Sequence, residues 1–399
     1  AMTAPRVDII GQRDFLQNMP GSGDILDRDA LESTRVFTVN EALRKVPGLN
    51  VRDEEGFGLR PNIGIRGLNP TRSTKVTLLE DGIPIAYAPY GDNASYYHPP
   101  IERFERVEVL RGAGQTLYGP QTIGGVINYI TPNPTEDFSG GLSLAGGNRD
   151  YVNAHARLSG GGYLLDVMHK QGDGARDNTR SEIRDLNLKK VLAIDDRQGV
   201  TLRANYYTED SQVTYSGLTN AEFQNFGARY NPFRNDSFEI RRMGLSGTHQ
   251  IALSGDTNLI TNVYWSSFNR DWWRQSSTTT DTQCGTAFRD ARIAGQAVNP
   301  DSCNSAQGRL RDYYSFGIEP RLRTAHTWFG TQSELETGVR LHHEKQERRQ
   351  INASSPLGRT GTVAEDNERN TNAFAAFAHN RLLYGDFTIT PGLRYEFID

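Results

Sequence analysis

Phe387-Thr388-Ile389-Thr390-Pro391-Gly392-Leu393-Arg394-Tyr395-Glu396-Phe397-Ile398 is the stretch that decides the fold. Side chains of an extended chain alternate with period two, so Phe387, Ile389, Pro391, Leu393, Tyr395 and Phe397 share one face, and Thr388, Thr390, Gly392, Arg394 and Glu396 share the other. A strand split in this way separates two environments. The split recurs at Val200, Leu202, Ala204 and Tyr206 against Thr201, Arg203, Asn205 and Tyr207. It recurs again at Leu335, Val339 and Leu341 against Glu334, Glu336, Arg340 and His342. A packed sandwich core would not accept several charges per strand. Lipid on one face and water on the other accounts for the pattern, and alternating segments of about ten residues are the mark of a transmembrane antiparallel β-barrel.

Working outward, eleven strands are expected, near 138–146, 151–160, 162–171, 182–194, 199–210, 239–253, 257–271, 309–326, 331–346, 371–383 and 386–398. Their connections alternate in length. Gly147–Asp150, Ser254–Asp256, Phe329-Gly330 and Tyr384–Asp386 are tight turns, whereas 212–238, 276–308 and 351–369 are long and polar, as at the two ends of an outer-membrane barrel. Tyr264, Trp265, Phe268, Trp272, Trp273, Tyr313, Tyr314 and Phe316 are expected to form an interfacial aromatic belt. Eleven is odd for a single-chain bacterial barrel, and the sequence stops within a strand, so it is expected to cover about the first half of the barrel.

Composition agrees. The 399 residues include 44 Lys and Arg against 48 Asp and Glu, a net charge of −4, which lacks the basic excess of a nucleic-acid binder. The longest apolar run, Ala373–Ala378, is far short of the roughly 18 residues of a membrane helix. No Gly-x-Ser-x-Gly, His-Glu-x-x-His or phosphate loop suggests an enzyme. Residues 1–20 carry no secretory leader, which is expected to have been removed, and Ala1-Met2 reads as an expression scar. Between Ser33 and about Pro134 the pattern mixes types. A short helix is expected after an N-cap at Thr38, with strands at Val76–Leu79, Val107–Leu110 and Val126–Ile130.

That α+β region carries Gly64-Ile65-Arg66-Gly67-Leu68-Asn69-Pro70, Asp81-Gly82-Ile83-Pro84, Arg106-Val107-Glu108-Val109-Leu110-Arg111-Gly112, Tyr118-Gly119-Pro120 and Gly124-Gly125-Val126-Ile127-Asn128. In order and spacing these pieces resemble the plug domain of TonB-dependent outer-membrane receptors. The resemblance implies a 22-stranded barrel with the plug in its lumen. The organisation it implies here is a TonB box and linker over 1–30, a plug over 31–135, and an incomplete barrel over 136–399.

The resemblance also implies roles. Arg6, Val7, Asp8, Ile9 and Ile10 stand where the family carries its TonB box, an extended segment with a free edge that pairs with a strand of TonB. Glu108 and Arg111 look like a charged lock between plug and wall, with Glu336 or Arg340 as partners. The likeness is greatest to ferric-citrate receptors, through Gly64–Pro70, Ala88-Pro89-Tyr90-Gly91, Phe316–Arg321 and Thr388–Arg394. It carries over Arg66, Arg270 and Arg311, with a fourth arginine at or beside Arg369, as anion-binding residues. Arginine suits the task because its planar fork grips carboxylates. Asp92 departs from that subgroup, which has glutamine there, and favours an amine-bearing metallophore of zinc, nickel or cobalt as the alternative ligand. Haem is a further alternative through His98 or His342.

The expected ligand is therefore a metal chelate, an Fe(III)-carboxylate, held with no side chain as a direct metal ligand and no cofactor. The expected partners are TonB with ExbB and ExbD, outer-membrane lipid and lipopolysaccharide, with no nucleic acid and a monomeric state. Cys284 and Cys303 lie in one long loop, where a disulfide would contribute roughly 3 kcal/mol, free thiols or a metal pair being the alternatives.

Overall fold

Strands that alternate between lipid and water can close their backbone hydrogen bonds only with one another, and here each pairs with its neighbour in sequence. The computed structural model describes residues 4–11, 13–17 and 19–399, so Ala1-Met2, expected above to be a scar, falls outside the described residues. The inner body begins with β1 (Ser22–Leu26), α1 (Arg28–Ser33), α2 (Val39–Leu43), β2 (Leu49–Val51) and β3 (Ile63–Ile65). It continues with β4 (Val76–Glu80), β5 (Ile83–Pro84), β6 (Arg106–Arg111) and β7 (Gly125–Ile130). The three expected strands are β4, β6 and β7. Thr38 caps α2, its side-chain oxygen accepting the N–H of Glu41 at 3.2 Å.

Strands β1-β6-β7-β4-β5 form one sheet, in which β4 and β7 run parallel, and β2 pairs with β3 as a separate hairpin. Val76, Leu78, Val107, Val109 and Ile127 bury one face of the sheet against Leu31, Val39 and Leu43 of the helices.

The wall starts with β8 (Ser139–Gly146), β9 (Val152–Gly160), β10 (Tyr163–Asp173), β11 (Arg180–Asp195) and β12 (Gln198–Gln212). After α3 (Asn220–Phe226) come β13 (Ser237–Ala252) and β14 (Thr257–Arg274), and after α4 (Thr286–Ile293) come β15 (Ala306–Trp328), β16 (Thr331–Ala353) and β17 (Thr362–Tyr384). The quoted stretch is β18 (Phe387–Ile389) and β19 (Gly392–Ile398), both paired to β17. They are one strand broken at Pro391, which has no N–H for the ladder. With that merger, the eleven expected strands are the eleven observed, in an antiparallel sheet ordered by sequence with β8 at one end.

Two expectations change. The stretch 351–369 is not a loop: β16 and β17 run on for 23 residues each and only 354–361 connects them. Beyond the lipid both faces meet water, so the alternation fades while the ladder continues. The aromatic belt also divides by parity. Trp265, Tyr314 and Phe316 face outward with Leu202 and Leu341, whereas Tyr264, Phe268, Trp272 and Tyr313 face inward and are buried. Phe268 and Tyr313 pack on Tyr87 of the inner body, with ring centroids 4.6 and 4.2 Å away. They are inter-body core, because residues four apart on a strand share a face and that face is covered.

Candidate functional site

The inward face of the wall concentrates positive charge at one place. In the ladder Arg270 of β14 lies opposite Arg311 of β15, and Arg311 opposite Arg348 of β16, which sets three guanidinium-bearing residues side by side. Like charges directly opposite destabilise a sheet. Among the described residues one carboxylate, Glu365, pairs directly with the row, accepting from Arg311 Nη2 at 3.3 Å and lying 3.2 Å from Arg348 Nε, while Asp92 acts on Arg270 from farther away. Arg270 is 5% exposed, and its Nε finds no acceptor among the described residues.

The inner body supplies the floor. Tyr96 lies between Arg270, 4.6 Å from its ring centroid, and Arg72, 4.3 Å from it. Burial pushes the Tyr96 phenol up, but Arg270 and Arg72 outweigh burial and bring it below the ordinary value. The place stabilises negative charge.

Of the expected anion-binding residues, Arg270 and Arg311 are brought together. Arg369 lies opposite Gln346 in the ladder, next to the row and exposed. Arg66 is apart from them: it is exposed at the far end of the β2–β3 hairpin, where its guanidinium donates to Ser22 Oγ at 3.3 Å. Arg72 takes its place. It follows the quoted glycine motif by only a few residues, but its loop geometry carries no periodicity from which to read it.

Asp92 does not face the cavity as a free carboxylate. Its Oδ2 accepts from Tyr313 Oη at 2.9 Å and Gln346 Nε2 at 3.2 Å. One turn away, Glu344 accepts the backbone N–H groups of Tyr90 and Gly91, both at 2.8 Å. The apex loop 88–92 is thus strapped to β15 and β16. Glu344 and Gln346 were findable, since they share parity with Arg340 and His342. The two histidines are engaged elsewhere. His98 is sealed inside the inner body against the Tyr129 hydroxyl, where burial pushes it down to about 3. His342 sits between Tyr264 Oη at 2.9 Å and Glu344 at 3.0 Å.

The expected lock partners are corrected. Glu108 bonds to backbone N–H groups of residues 9–11, and Arg111 to Asp24 and the Pro47 carbonyl, all within the N-terminal part rather than the wall. A motif specifies its own residues but not what packs against them. The charged contacts to the wall come from other positions. Arg60 pairs with Glu209 of β12, with no exposure on either side chain. Arg103 donates to Asp185 of β11 at 2.9 Å and to Glu80 at 2.9 Å, and Glu80 and Asp81 also meet Arg203 of β12. Arg6 to Ile10, expected to be extended with a free edge, are docked on the plug with Val7, Ile9 and Ile10 buried. Cys284 and Cys303 are joined as a disulfide.

A concavity of about 1150 Å³ lies on the outward face, lined by Leu165, Leu202, Trp265 and Phe316 among others, and is no part of this site.

Comparison with known proteins agrees with this architecture. Residues 16–126 match the family model "TonB-dependent Receptor Plug Domain", and 185–399 match "TonB dependent receptor-like, beta-barrel". An iron-regulated outer membrane virulence protein of Vibrio cholerae is 36% identical over 145 residues, 35% of this chain and 21% of that protein. The ferric enterobactin receptor PirA of Pseudomonas aeruginosa is 30% identical over 209 residues, 47% of this chain and 28% of the receptor. The crystal structure of the ferric citrate transporter FecA in its unliganded form superposes with a TM-score of 0.82 at 23% identity, over 100% of this chain and 59% of that one. The matched regions span between 21% and 59% of these relatives, less than two thirds in each case. With both family models matched in sequence order, the second over more than half of the chain, this chain belongs to the TonB-dependent receptors, a family of receptors and transporters and not of enzymes.

Proposed function

We propose that the whole receptor imports an anionic iron(III) chelate across the bacterial outer membrane, with force supplied through TonB, ExbB and ExbD, and that the chelate is bound where Arg270, Arg311 and Arg348 stand side by side. The observation that carries this reading is that charge imbalance: three adjacent arginines with one directly paired carboxylate among the described residues, beside a tyrosine flanked by two arginines, of which Arg72 pairs with Glu54. A multiply charged anion would relieve it. The names of the relatives, an iron-regulated protein and a ferric enterobactin receptor, favour iron chelates as the class. Within that class a carboxylate chelate such as ferric citrate is our finer reading, supported by the fit of arginine forks to carboxylates. The engaged state of Asp92 disfavours the amine-bearing metallophore, and that of His98 and His342 disfavours haem.

Titration of ferric citrate into wild-type and Arg270→Ala receptor tests the proposal. Loss of a hydrogen bond to a charged group costs about 1.5–3 kcal/mol, roughly a ten- to hundredfold weaker Kd, and affinity should fall with added salt. Normal affinity in the Arg270→Ala and Arg311→Ala receptors would refute the site, and weak, salt-independent binding to wild type would refute the ligand.

A further inference from the structure

We propose that Arg242 holds a monatomic anion of the chloride class in a small cavity between the plug and the wall, and that the ion fastens the two bodies together.

Buried charges are paired, and beside the β4–β5 turn of the plug the pairing can be followed residue by residue. Glu80 meets Arg103 and Arg203, Asp81 meets Lys189 and Arg203, and Asp185 meets Arg103. Three carboxylates are thus matched by three cations. Arg242 of β13 is a fourth cation, and it is 6% exposed. It donates to the neutral Asn205 Oδ1 at 2.7 Å and lies 5.0 Å from the centre of the Tyr97 ring, and among the described residues no carboxylate pairs with it.

A cavity of about 30 Å³ opens beside this uncompensated charge, lined by Arg203, Asn205, Arg242 and Ser246 of the wall and by Glu80 and Pro84 of the plug, among others. The space exists because residue 244 has no side chain. Gly244 lies opposite Asn205 in the ladder, and a Cβ there would be 2.8 Å from Asn205 Nδ2 and 3.1 Å from Arg242 Nη1. Such a volume admits a water molecule or a monatomic ion and is far too small for a metal chelate. Water would satisfy the donors and leave the charge, whereas an anion does both, and an uncompensated buried charge is the costlier defect. The carboxylate of Glu80 on the rim is already engaged by Arg103 and Arg203. Because the cavity draws on both bodies, an ion in it is bound only while the plug is seated.

A ligand that binds the seated state alone suppresses opening by mass action. Amide hydrogen exchange of the whole receptor in detergent, without chelate, is compared in sodium chloride and in sodium gluconate of equal ionic strength, which holds screening constant. At chloride about ten times its Kd, the amides of Ile83 and Ile85 on the plug side of the cavity should exchange roughly tenfold more slowly than in gluconate. Gly244→Ala fills the cradle with every charge left in place, and Arg242→Met removes the charge. Each variant is compared with itself in the two salts, so a loss of stability common to both does not enter, and in each the chloride effect should vanish. Wild-type crystals grown in bromide should show an anomalous peak within hydrogen-bond distance of the Arg242 guanidinium, and they decide the matter should both variants fail to fold. Equal wild-type exchange in the two salts, a chloride effect that survives in the folded variants, or no bromide at Arg242 overturns the proposal.

Discussion

Replacing Arg103 by methionine should loosen the plug from its wall, and a second replacement should restore it. The guanidinium of Arg103 is completely buried and bridges two bodies, donating through Nε and Nη2 to Asp185 of β11 and through Nη1 to Glu80 of β4. Glu80 keeps Arg203 when Arg103 is lost. Asp185 accepts from Arg103 alone among the described residues and is left as a buried carboxylate with no partner. Removing one member of a buried pair costs about 3–5 kcal/mol, whereas exchanging both for apolar groups of similar volume is often neutral. Arg103→Met should thus cost about 3–5 kcal/mol of plug attachment, and Arg103→Met/Asp185→Leu should recover most of it. Urea titration of the solubilised receptor, with plug release followed by proteolysis, measures both. A single variant costing less than about 1 kcal/mol, or a double variant as unstable as the single, would refute the assignment of this pair as the plug's anchor.

Acid should weaken the plug through His98. Its pKa in the folded chain, about 3, lies below the ordinary 6.5, so the unfolded chain binds the extra proton first. Stability is complete above pH 6.5 and falls as pH drops towards 3, at about 1.4 kcal/mol per pH unit for one group. His98→Phe should flatten that slope in hydrogen exchange of the plug amides, and an identical slope would mean that another group is responsible. Removing the disulfide with Cys284→Ser/Cys303→Ser should destabilise the 275–305 connection between β14 and β15 locally by roughly 3 kcal/mol in the chain-entropy model. Proteolysis should quicken there while thermal unfolding of the wall stays unchanged, and equal resistance to protease would contradict it.

The wall was legible because lipid and water impose opposite demands on adjacent residues, and the eleven strands could be located wherever both demands acted. Legibility faded where they stopped acting: at the outer ends of β16 and β17, where both faces are wet, and at Tyr264, Phe268 and Tyr313, whose inward face is covered by another body. The same parity found the inward charges of β12 and β16 and put Arg311 on the inward face, whereas Arg270 came from the family resemblance alone. It could not find Arg72 or the resting place of Arg66, because plug loops have no period. Nor could it pair Arg60 with Glu209 or seat Glu108 under residues 9–11, since those contacts join positions about 100 residues or more apart. Strand pattern reports what a face meets and says nothing about which residue of a second body meets it.

On the proposed function, the length of β15, β16 and β17 sets where a chelate would first meet the receptor. At about 3.3 Å per residue, 23 residues run roughly 75 Å, and a tilt of about 40° leaves a height near 60 Å. The apolar band of an outer-membrane barrel is about 25 Å tall. These hairpins rise from short turns at 329–330 and 385–386, so most of the surplus, on the order of 30 Å, stands on the opposite side as a palisade above the headgroups. Arg309, Arg348 and Arg349 are carried on that projecting part. Capture would then take place in water beyond the bilayer, where lipid contributes nothing to selection and the reach of the positive field is set by the ionic strength of the surrounding medium.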